Sequence, residues 1–317
     1  MGIKGKKLLY VLTEGGKDIG YGHITRCISI LQFYPYSKLV IYAKDKENVS
    51  KFLKIQGISK DRYLFLNWHS LSFPNLRNRY VFIDSYLATE KVLLSIEKIA
   101  KKLIFYDDFK QRNYKLFKKA YVINPTFYAK DLFPYRKKNY LLGPKYLMLR
   151  KAFYKLKPKK INKKVKNIFL SLGGSSHNIK IKLISEILNL LKSKNYNVLI
   201  PKNLNDEGIK NLMEKADIAI SAGGQTILEL ARVGVPTISI ALADNQMPNL
   251  KHLISNNLTF FAGWWNDELL IENIRKGLEF YKDKNLRKEI SKKLQNLFDG
   301  KGTLRIINST LGERITS

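Results

Sequence analysis

The sequence predicts an α/β protein made of two similar halves in tandem, each with a mostly parallel sheet. Three observations support this fold class. Short apolar runs alternate with segments of helical periodicity, as in strand–helix–strand units. The alternation stops at a lysine-rich stretch, residues 151–166, and then restarts. The length of 317 residues also fits about two domains.

The first half, residues 1–150, begins with an apolar run that ends in a glycine-rich turn. The helix after this turn is indicated by Ile24, Ile28 and Leu31, which recur at helical spacing. The later apolar runs are short, as strands are. Strands are predicted at residues 7–13, 39–43, 63–66, 80–84, 103–106, 120–123 and 140–142, and helices at 23–34, 48–57 and 89–101.

Residues 151–166 are predicted to form a linker, because they contain many lysines, one proline and little periodicity. The second half, residues 167–317, repeats the alternation of strands and helices. Gly234 ends one helix, and Pro236 opens the strand that follows. Strands are predicted at residues 168–172, 197–200, 217–221 and 237–241, and helices at 180–192, 209–215, 227–233 and along the tail 285–317.

The composition excludes several classes of protein. A hydrophobic content of 45% excludes a disordered chain, and the single cysteine, Cys27, excludes an intramolecular disulfide. The basic start is followed by an apolar run too short for a signal peptide, and no stretch of about 18 apolar residues exists to cross a membrane. The expected location is the cytoplasm.

The net charge of +31 raises the question of a nucleic-acid partner. The positive charge is spread over both halves, and Arg supplies only 12 of the 57 basic residues, whereas base readout relies on Arg forks. We therefore expect no nucleic-acid partner and interpret the charge mainly as a compositional bias. The positive charge is also compatible with weak peripheral contact with an anionic membrane. It likewise suits an anionic substrate such as a nucleotide sugar.

The first candidate site is the sequence Gly20-Tyr21-Gly22-His23, where a strand ends and a helix begins. Glycines allow the backbone to approach a ligand closely, and the helix start offers free N–H groups. A neutral imidazole at this position could take a proton from water. The alternative is that His23 only stabilises the turn.

The second candidate site is the turn Gly223-Gly224-Gln225-Thr226, again between a strand and a helix. Backbone N–H groups in such a turn can hold a diphosphate. Glu229 lies one turn further on, within reach of a ribose diol, although it could also be an exposed helix carboxylate. A similar turn, built from Gly173, Gly174 and Ser175, is expected to line the other side.

The third candidate site is Asn245-Gln246, which follows the strand at 237–241. Its amides could hydrogen-bond sugar hydroxyls or an acetamido group. The alternative is a helix N-cap, for which Asp and Asn are favoured.

Other chemistries lack their motifs. The histidines have no metal-ligand spacing, and there is no GxxxxGK[ST] loop, GxSxG elbow or GxGxxG fingerprint. The pair Asp107-Asp108 is interpreted as local turn chemistry, because adjacent side chains point in different directions. We expect neither a metal nor a cofactor.

These motifs together resemble the UDP-sugar hydrolase family of pseudaminic acid biosynthesis and the related spore-coat polysaccharide proteins. The most specific matches are the GxGHxxRC and GPxYxxLRxxF patterns, and the resemblance runs from residue 7 to about residue 262. The glycine turns also occur in the peptidoglycan N-acetylglucosaminyltransferase. The matching segments are residues 20–27 (GYGHITRC), 82–86 (FIDSY), 106–108 (YDD), 142–153 (LGPKYLMLRKAF), 172–174 (LGG), 216–229 and 245–246 (NQ).

The resemblance implies a GT-B architecture, in which two Rossmann-like domains enclose the substrate in a cleft. It implies metal-independent, inverting hydrolysis of a UDP-linked 2,4-diacetamido-2,4,6-trideoxy sugar. His23 would be the general base. The residues that would bind the substrate are Gly20, Tyr21, Gly22, Arg26, Asp84, Tyr86, Gly173, Gly174, Ser175, Gly223, Gly224, Gln225, Thr226, Glu229, Asn245 and Gln246.

The chain departs from this family at Tyr21 and at Lys17-Asp18, where smaller residues are usual. Two alternatives to hydrolysis stay open. A GT-B glycosyltransferase would pass the sugar to a membrane or glycan acceptor, since fold alone does not separate transfer from hydrolysis. A non-enzymatic nucleotide-binding or nucleic-acid-binding protein would show no turnover.

Overall fold

The structure is a computed structural model, and it describes residues 7–110, 112–135, 137–173, 178–313 and 315. The chain forms two compact units, and the α/β fold class is confirmed. The first unit runs to Lys151 and takes up the chain again from Lys301; the second is Ala152–Gly300. None of the helices in the described ranges combines the length and the apolar character needed to cross a membrane.

The first unit contains a seven-stranded parallel sheet in the order β3-β2-β1-β4-β5-β6-β7. Its strands are apolar along most of their length, because helices cover a parallel sheet on both faces. The elements are β1 (Leu9–Glu14), α1 (Gly22–Phe33), β2 (Ser37–Tyr42), α2 (Lys46–Ile55), β3 (Tyr63–Phe65), β4 (Tyr80–Asp84), α3 (Glu90–Ile99), β5 (Lys102–Tyr106), β6 (Ala120–Asn124), α4 (Ala129–Leu132) and β7 (Tyr140–Leu142).

The second unit contains a five-stranded parallel sheet in the order β12-β11-β10-β8-β9. The elements are β8 (Asn167–Ser171), α5 (Asn178–Ser193), β9 (Asn197–Leu199), α6 (Asp206–Lys215), β10 (Ile218–Ala222), α7 (Gln225–Val233), β11 (Thr237–Ala241), α8 (Met247–Ser255), β12 (Thr259–Trp264), α9 (Leu270–Phe280) and α10 (Lys284–Leu297).

The strand order places the predicted ligand loops at the reversal point of each sheet. In the first unit the order reverses between β1 and β4, and in the second between β8 and β10. Parallel α/β sheets bind ligands at the carboxyl ends of the strands on either side of such a reversal. Tyr86, Gly173 and Gly223 lie in the loops that follow three of these strands, and His23 lies in the first turn of the helix after β1.

The last helix, α11 (Gly302–Leu311), packs with the first unit rather than the second, to which the sequence pattern had assigned it. A Cβ atom on Gly302 would lie 1.9 Å from the carbonyl oxygen of Leu147, so the helix starts in direct contact with that backbone. The Ser29 and Thr303 hydroxyls also form a buried hydrogen bond of 3.0 Å. The predicted helical tail is therefore two helices, α10 and α11, in different units.

Residues 152–166, which lie in the stretch predicted to be a linker, are held against the second unit. Arg232 donates to the carbonyl oxygens of Phe153 (3.0 Å) and Tyr154 (2.9 Å). Arg287 donates to those of Asn162 (3.1 Å) and Lys163 (3.2 Å). The composition of this segment indicates a linker. The sequence gives no sign of these contacts, because the arginines lie about 80 and 125 positions further along the chain.

Candidate active site

The loop between β1 and α1 is folded back on itself by two glycines. The N–H of Gly16 donates to the carbonyl of Gly20 (3.1 Å), and the N–H of Gly20 donates to that of Gly16 (2.7 Å). Both residues have positive φ angles, 137° and 89°, which L side chains rarely adopt. The closed loop ends directly before α1, so His23 becomes the second residue of the helix.

His23 is held by a carboxylate on the neighbouring strand. Its Nδ1 lies 2.7 Å from Oδ1 of Asp84, which ends β4 and pairs with Thr13 of β1. Nη2 of Arg26 lies 3.0 Å from the same Nδ1. We assign the proton to Nδ1 on the shorter contact, because a carboxylate only accepts hydrogen bonds, and this tautomer leaves the lone pair on Nε2. The side chain of His23 retains 9% of its surface exposed. The arrangement resembles the acid–imidazole pair that orients a general base.

Arg26 supports this pair from one turn along α1. Its guanidinium donates to both carboxylate oxygens of Asp84, at 2.5 and 2.6 Å, and to Oδ2 of Asp108 at 2.7 Å. Arg26 also lies over the ring of Tyr106, 4.9 Å from its centroid. Burial alone would raise the pKa of Asp84, but Arg26 and His23 hold it well below its usual range. Asp84 therefore stays ionised beside the imidazole.

Tyr86 packs against the imidazole ring of His23. The two rings meet edge to face with centroids 4.5 Å apart, and the Tyr86 hydroxyl donates to Oδ1 of Asp108 at 2.6 Å. Burial and the carboxylate of Asp108 raise the pKa of this hydroxyl well above its usual value, so it remains a donor. Asp108 thus joins Arg26 and Tyr86 around the imidazole.

Glu14, at the end of β1, fixes the segment that carries Tyr86. It accepts hydrogen bonds from the backbone N–H groups of Tyr86 (2.7 Å) and Leu87 (3.1 Å) and from the hydroxyl of Ser85, and it lies 3.2 Å from Nε2 of His69. Burial would raise the pKa of Glu14, but the bond to His69 and the nearby His23 keep it below its usual value.

The sequence interpretation of Asp107-Asp108 as turn chemistry holds only for Asp107. Asp107 accepts from the N–H of Phe109 (2.9 Å) and from the hydroxyl of Tyr114. Asp108 instead reaches Arg26. Asp108 and Glu14 were both missed as site residues. Their position in the sequence could have identified them. Glu14 ends the apolar strand β1 and Asp108 lies two residues after β5, and the carboxyl ends of neighbouring parallel strands meet at one edge of the sheet.

Three residues that were predicted to bind the substrate thus contact His23 or its carboxylate partner in the structure. Asp84 has no exposed surface, and Arg26 is 7% exposed. Tyr86 is partly buried and contacts the imidazole. The ring of Tyr21 packs against that of Phe52 on α2, with the centroids 4.8 Å apart.

In the second unit, the predicted diphosphate turn joins β10 to α7. A Cβ atom on Gly223 would lie 2.6 Å from Cγ of Leu250, so the tight packing here requires glycine. Gly224 occupies the N-cap position and has no side chain to cap the helix. Gln225 and Thr226 form the first turn of α7, whose N–H groups and dipole favour an anion.

Gln246 braces this turn through its side chain. Its Oε1 accepts from the N–H of Gly223 (3.2 Å) and from that of Leu242 (3.0 Å). Asn249 adds a bond from its amide to the carbonyl of Gly223 (3.3 Å). The N-cap of the alternative interpretation is not observed, since no side chain of the short turn Asp244–Gln246 caps α8.

The remaining predicted residues of the second unit differ in exposure. Glu229 is 2% exposed on α7, so it is not the exposed carboxylate of the alternative interpretation. Gly173 follows β8 with a φ angle of 85° and is exposed. Gly174 and Ser175 lie outside the described residues. Within the described part of the chain, we find no group of three or more His, Cys, Asp or Glu side chains placed to hold a metal ion.

Comparison with known proteins places the second unit in a family. Residues 151–300 match the glycosyltransferase family 28 C-terminal domain. The chain is 28% identical over 255 residues to a Helicobacter pylori protein named as a pseudaminic acid cytidylyltransferase and UDP-2,4-diacetamido-2,4,6-trideoxy-beta-L-altropyranose hydrolase. It is 23% identical over 342 residues to the spore coat polysaccharide biosynthesis protein SpsG of Bacillus subtilis, covering 93% of this chain and 95% of SpsG.

The aligned lengths differ among these relatives. The Helicobacter match covers 74% of this chain and 44% of the relative, and a 28% identical protein of Methanocaldococcus jannaschii is covered over 54% of its length. The chain thus spans about half the length of these two relatives.

Solved structures share the fold at low identity. MurG of Acinetobacter baumannii has a TM-score of 0.62 at 13% identity, over 96% of this chain and all of MurG. A UDP-GlcNAc 2-epimerase of Neisseria meningitidis, bound to UDP-GlcNAc, has a TM-score of 0.57 at 15% identity, over 96% of this chain and 100% of the epimerase. These likenesses confirm the predicted GT-B fold. The predicted family resemblance is confirmed by the sequence matches to the family 28 domain, the Helicobacter pylori protein and SpsG.

Proposed function

We propose that this chain, a GT-B protein with a glycosyltransferase family 28 C-terminal domain, is a nucleotide-sugar hydrolase. Its substrate is a UDP-linked 2,4-diacetamido-2,4,6-trideoxy sugar, similar to UDP-2,4-diacetamido-2,4,6-trideoxy-β-L-altropyranose, and its products are UDP and the free sugar. Such a sugar serves the synthesis of pseudaminic or related nonulosonic acids. The relationship to the Helicobacter pylori hydrolase supports the substrate class.

The observation that carries the proposal is the 2.7 Å contact between Nδ1 of His23 and Asp84. Nε2 of His23 takes a proton from water, and the water oxygen bonds to the anomeric carbon. The bond from that carbon to the diphosphate oxygen breaks, UDP leaves with this oxygen, and the configuration inverts. Asp84 stabilises the imidazolium that forms, and Arg26 keeps Asp84 ionised.

The leaving group is bound without a metal or cofactor in this proposal. The diphosphate lies at residues 224–226, where the N–H groups and dipole of α7 stabilise its negative charge. Glu229 binds the ribose of UDP. Asn245 and the amide nitrogen of Gln246 face the sugar, while Oε1 of Gln246 holds the turn.

The test is release of UDP from UDP- and CMP-linked sugars in the absence of an acceptor, comparing the wild type with His23→Asn. Asparagine keeps a hydrogen-bonding side chain of similar shape but takes no proton at neutral pH. We expect kcat to fall at least about 10²-fold with UDP affinity unchanged. Near wild-type hydrolysis by a folded His23→Asn variant would refute the role of His23, and unfolding of the variant would assign His23 to turn stability.

A second candidate is a glycosyltransferase that uses the same donor, and the family 28 domain match favours it. In a transferase, the acceptor hydroxyl takes the place of water, and His23 deprotonates that hydroxyl. UDP release that requires a lipid or glycan acceptor identifies the transferase, whereas acceptor-free release identifies the hydrolase.

A further inference from the structure

A second acid–imidazole pair lies near the first, at the end of β1. Nε2 of His69 is 3.2 Å from Oε2 of Glu14, whose side chain has no exposed surface, and the side chain of His69 is 16% exposed. The hydroxyl of Ser85 lies 3.5 Å from the same nitrogen. Because a carboxylate only accepts hydrogen bonds, we assign a proton to Nε2 of His69, which then donates to Glu14. Burial would raise the pKa of Glu14, and the bond to His69 is the largest of the effects that lower it.

The two oxygens of Glu14 have separate partners. Oε2 accepts from His69 and from the hydroxyl of Ser85. Oε1 accepts from the N–H of Tyr86 at 2.7 Å. Because a carboxylate is planar and rigid, the donors at Oε2 set the place of Oε1 and therefore of the Tyr86 backbone. The ring of Tyr86 meets that of His23 with the centroids 4.5 Å apart, so one chain of contacts leads from His69 to the proposed base.

His69 is itself held in place by aromatic neighbours. Its ring packs against those of Trp68 and Tyr42, with the centroids 4.1 and 4.7 Å away. The indole nitrogen of the fully buried Trp68 donates to the carbonyl of Thr13 at 3.0 Å, one residue before Glu14. The short turn Trp68–Ser70 is thus joined to the end of β1 at two successive residues, and these contacts hold the imidazole donor toward Glu14.

The segment that carries Tyr86 also has supports that do not involve His69. Arg112 donates to the carbonyls of Ser85 (2.5 Å) and Ala88 (3.4 Å). The Ser85 hydroxyl accepts from the N–H of Ala88 at 3.0 Å. Loss of the donor on His69 therefore leaves this segment folded but shifts the carboxylate that holds Tyr86. Such shifts matter, because a misplacement of about 1 Å can cost about 10²-fold in rate.

We propose that His69 is a positioning residue for His23. Its hydrogen bond to Glu14 sets the place of Tyr86, and the ring of Tyr86 keeps the imidazole of His23 in the direction that proton transfer needs. This inference rests on the proposed function, in which His23 is the general base.

The test compares two replacements of His69. His69→Phe keeps a ring against Trp68 and Tyr42 but has no donor, whereas the amide nitrogen of His69→Gln reaches the position of Nε2. Ser70→Ala is the matched control, because its hydroxyl donates to the carbonyl of Asn67 (2.8 Å) within the same turn. We expect His69→Phe to lower the kcat of UDP release at least about fivefold, with KM and the Kd of UDP unchanged. His69→Gln and Ser70→Ala should stay near the wild-type kcat.

Two results in this comparison overturn the proposal. One is a folded His69→Phe variant with the wild-type kcat, and the other is a His69→Gln variant as slow as His69→Phe. If His69→Phe does not fold, His69→Asn takes its place with the same expectations, because its shorter amide stops short of Glu14.

A double variant tests the route through Tyr86. Because His69 acts through Tyr86, His69→Phe/Tyr86→Ala should be no slower than Tyr86→Ala alone. A double variant slowed further by the full effect of His69→Phe overturns this route.

A spectroscopic measurement separates the positioning role from the hydrolysis proposal. The NMR signals of the His23 ring protons, assigned by their loss in His23→Asn, report the place of the Tyr86 ring, because ring currents depend on distance and angle. We expect these signals to move in His69→Phe and to keep their positions in His69→Gln and Ser70→Ala. Unmoved signals in a folded His69→Phe variant overturn the positioning role even where hydrolysis is observed. Moved signals in a protein that releases no UDP refute hydrolysis and support the positioning role.

Discussion

Replacing Asp84 by asparagine perturbs the site most directly without changing its shape. The carboxylate accepts from Nδ1 of His23 at 2.7 Å and from two nitrogens of Arg26 at 2.5 and 2.6 Å. An asparagine offers only one acceptor oxygen, so its NH2 group must face one of the two partners. Facing Arg26, it opposes another donor; otherwise it faces Nδ1 of His23. In the latter case Nδ1 must accept, the proton moves to Nε2, and the base loses its lone pair.

The expected loss of activity follows from this change of tautomer. The equivalent carboxylate-to-amide change in a Ser-His-Asp triad lowers kcat about 10⁴-fold, and general-base assistance contributes about 10²–10⁴-fold. We therefore expect Asp84→Asn to lower kcat by about 10²–10⁴-fold with unchanged UDP affinity. Breaking a buried ion pair costs about 3–5 kcal/mol, and the lower end applies because Asp108 still pairs with Arg26.

The assay is acceptor-free UDP release together with urea unfolding, with Asp107→Asn as the control. Asp107 is equally buried and loses its own hydrogen bonds, but it does not contact His23, so we expect lower stability with unchanged kcat. The double variant His23→Asn/Asp84→Asn should be no slower than His23→Asn, because Asp84 acts through His23. Additive losses in the double variant would refute this reasoning.

Three further predictions concern binding and stability. Glu229→Ala should cost about 1.5–3 kcal/mol of UDP binding and raise KM rather than lower kcat, and a normal KM with a collapsed kcat would move Glu229 into the chemistry. Gln246→Ala removes the side-chain acceptor of the Leu242 N–H and one of the two acceptors of the Gly223 N–H, which also donates to the carbonyl of Ile240, and should lower the free energy of unfolding by about 1–3 kcal/mol, whereas Gln246→Glu, which keeps the oxygen, should not. Because the native state lowers the pKa of Asp84 and Glu14, their stabilisation is present above about pH 4 and is lost as the pH falls through the lowered values. Urea unfolding at pH 5 and pH 3 should show this loss, and Asp84→Asn should show a smaller one.

The sequence predicted the features that depend on local patterns. Apolar runs identified the strands of the first sheet and all but β12 of the second, and the glycine pairs marked the loops at the two reversal points. His23 at the start of α1 followed from its position after Gly22. These features need only strand periodicity and the requirement for glycine in tight turns.

The features that the sequence did not predict depend on distant contacts. Arg26 and Asp108 are 82 positions apart, so nothing local indicates that they pair. The bond from the N–H of Gly223 to Oε1 of Gln246 was not predicted either, because the two residues meet only in the folded unit. The contact between the start of α11 and the backbone of Leu147, which requires glycine at position 302, is likewise not visible in the sequence.

The sequence pattern indicates no helix or strand in the segment 242–284, although this segment forms α8, β12 and α9. α8 and α9 lack a capping side chain, so only the weaker start signals mark them, Pro248 in α8 and Glu272 in α9. β12 contains Gly263 with a φ angle of 125°, and its pairing with β11 shifts register at Ser239/Ile240. A glycine in a short apolar run weakens the strand signal.

The fate of oxygen from labelled water tests the central claim that water, activated by His23, attacks the anomeric carbon. The wild type is incubated with UDP-2,4-diacetamido-2,4,6-trideoxyhexose in H₂¹⁸O, and both products are weighed by mass spectrometry. We expect unlabelled UDP and ¹⁸O in the freshly released sugar, with both products released at least about 10²-fold more slowly by His23→Asn. Label in the phosphate of UDP would show attack at phosphorus and contradict the account.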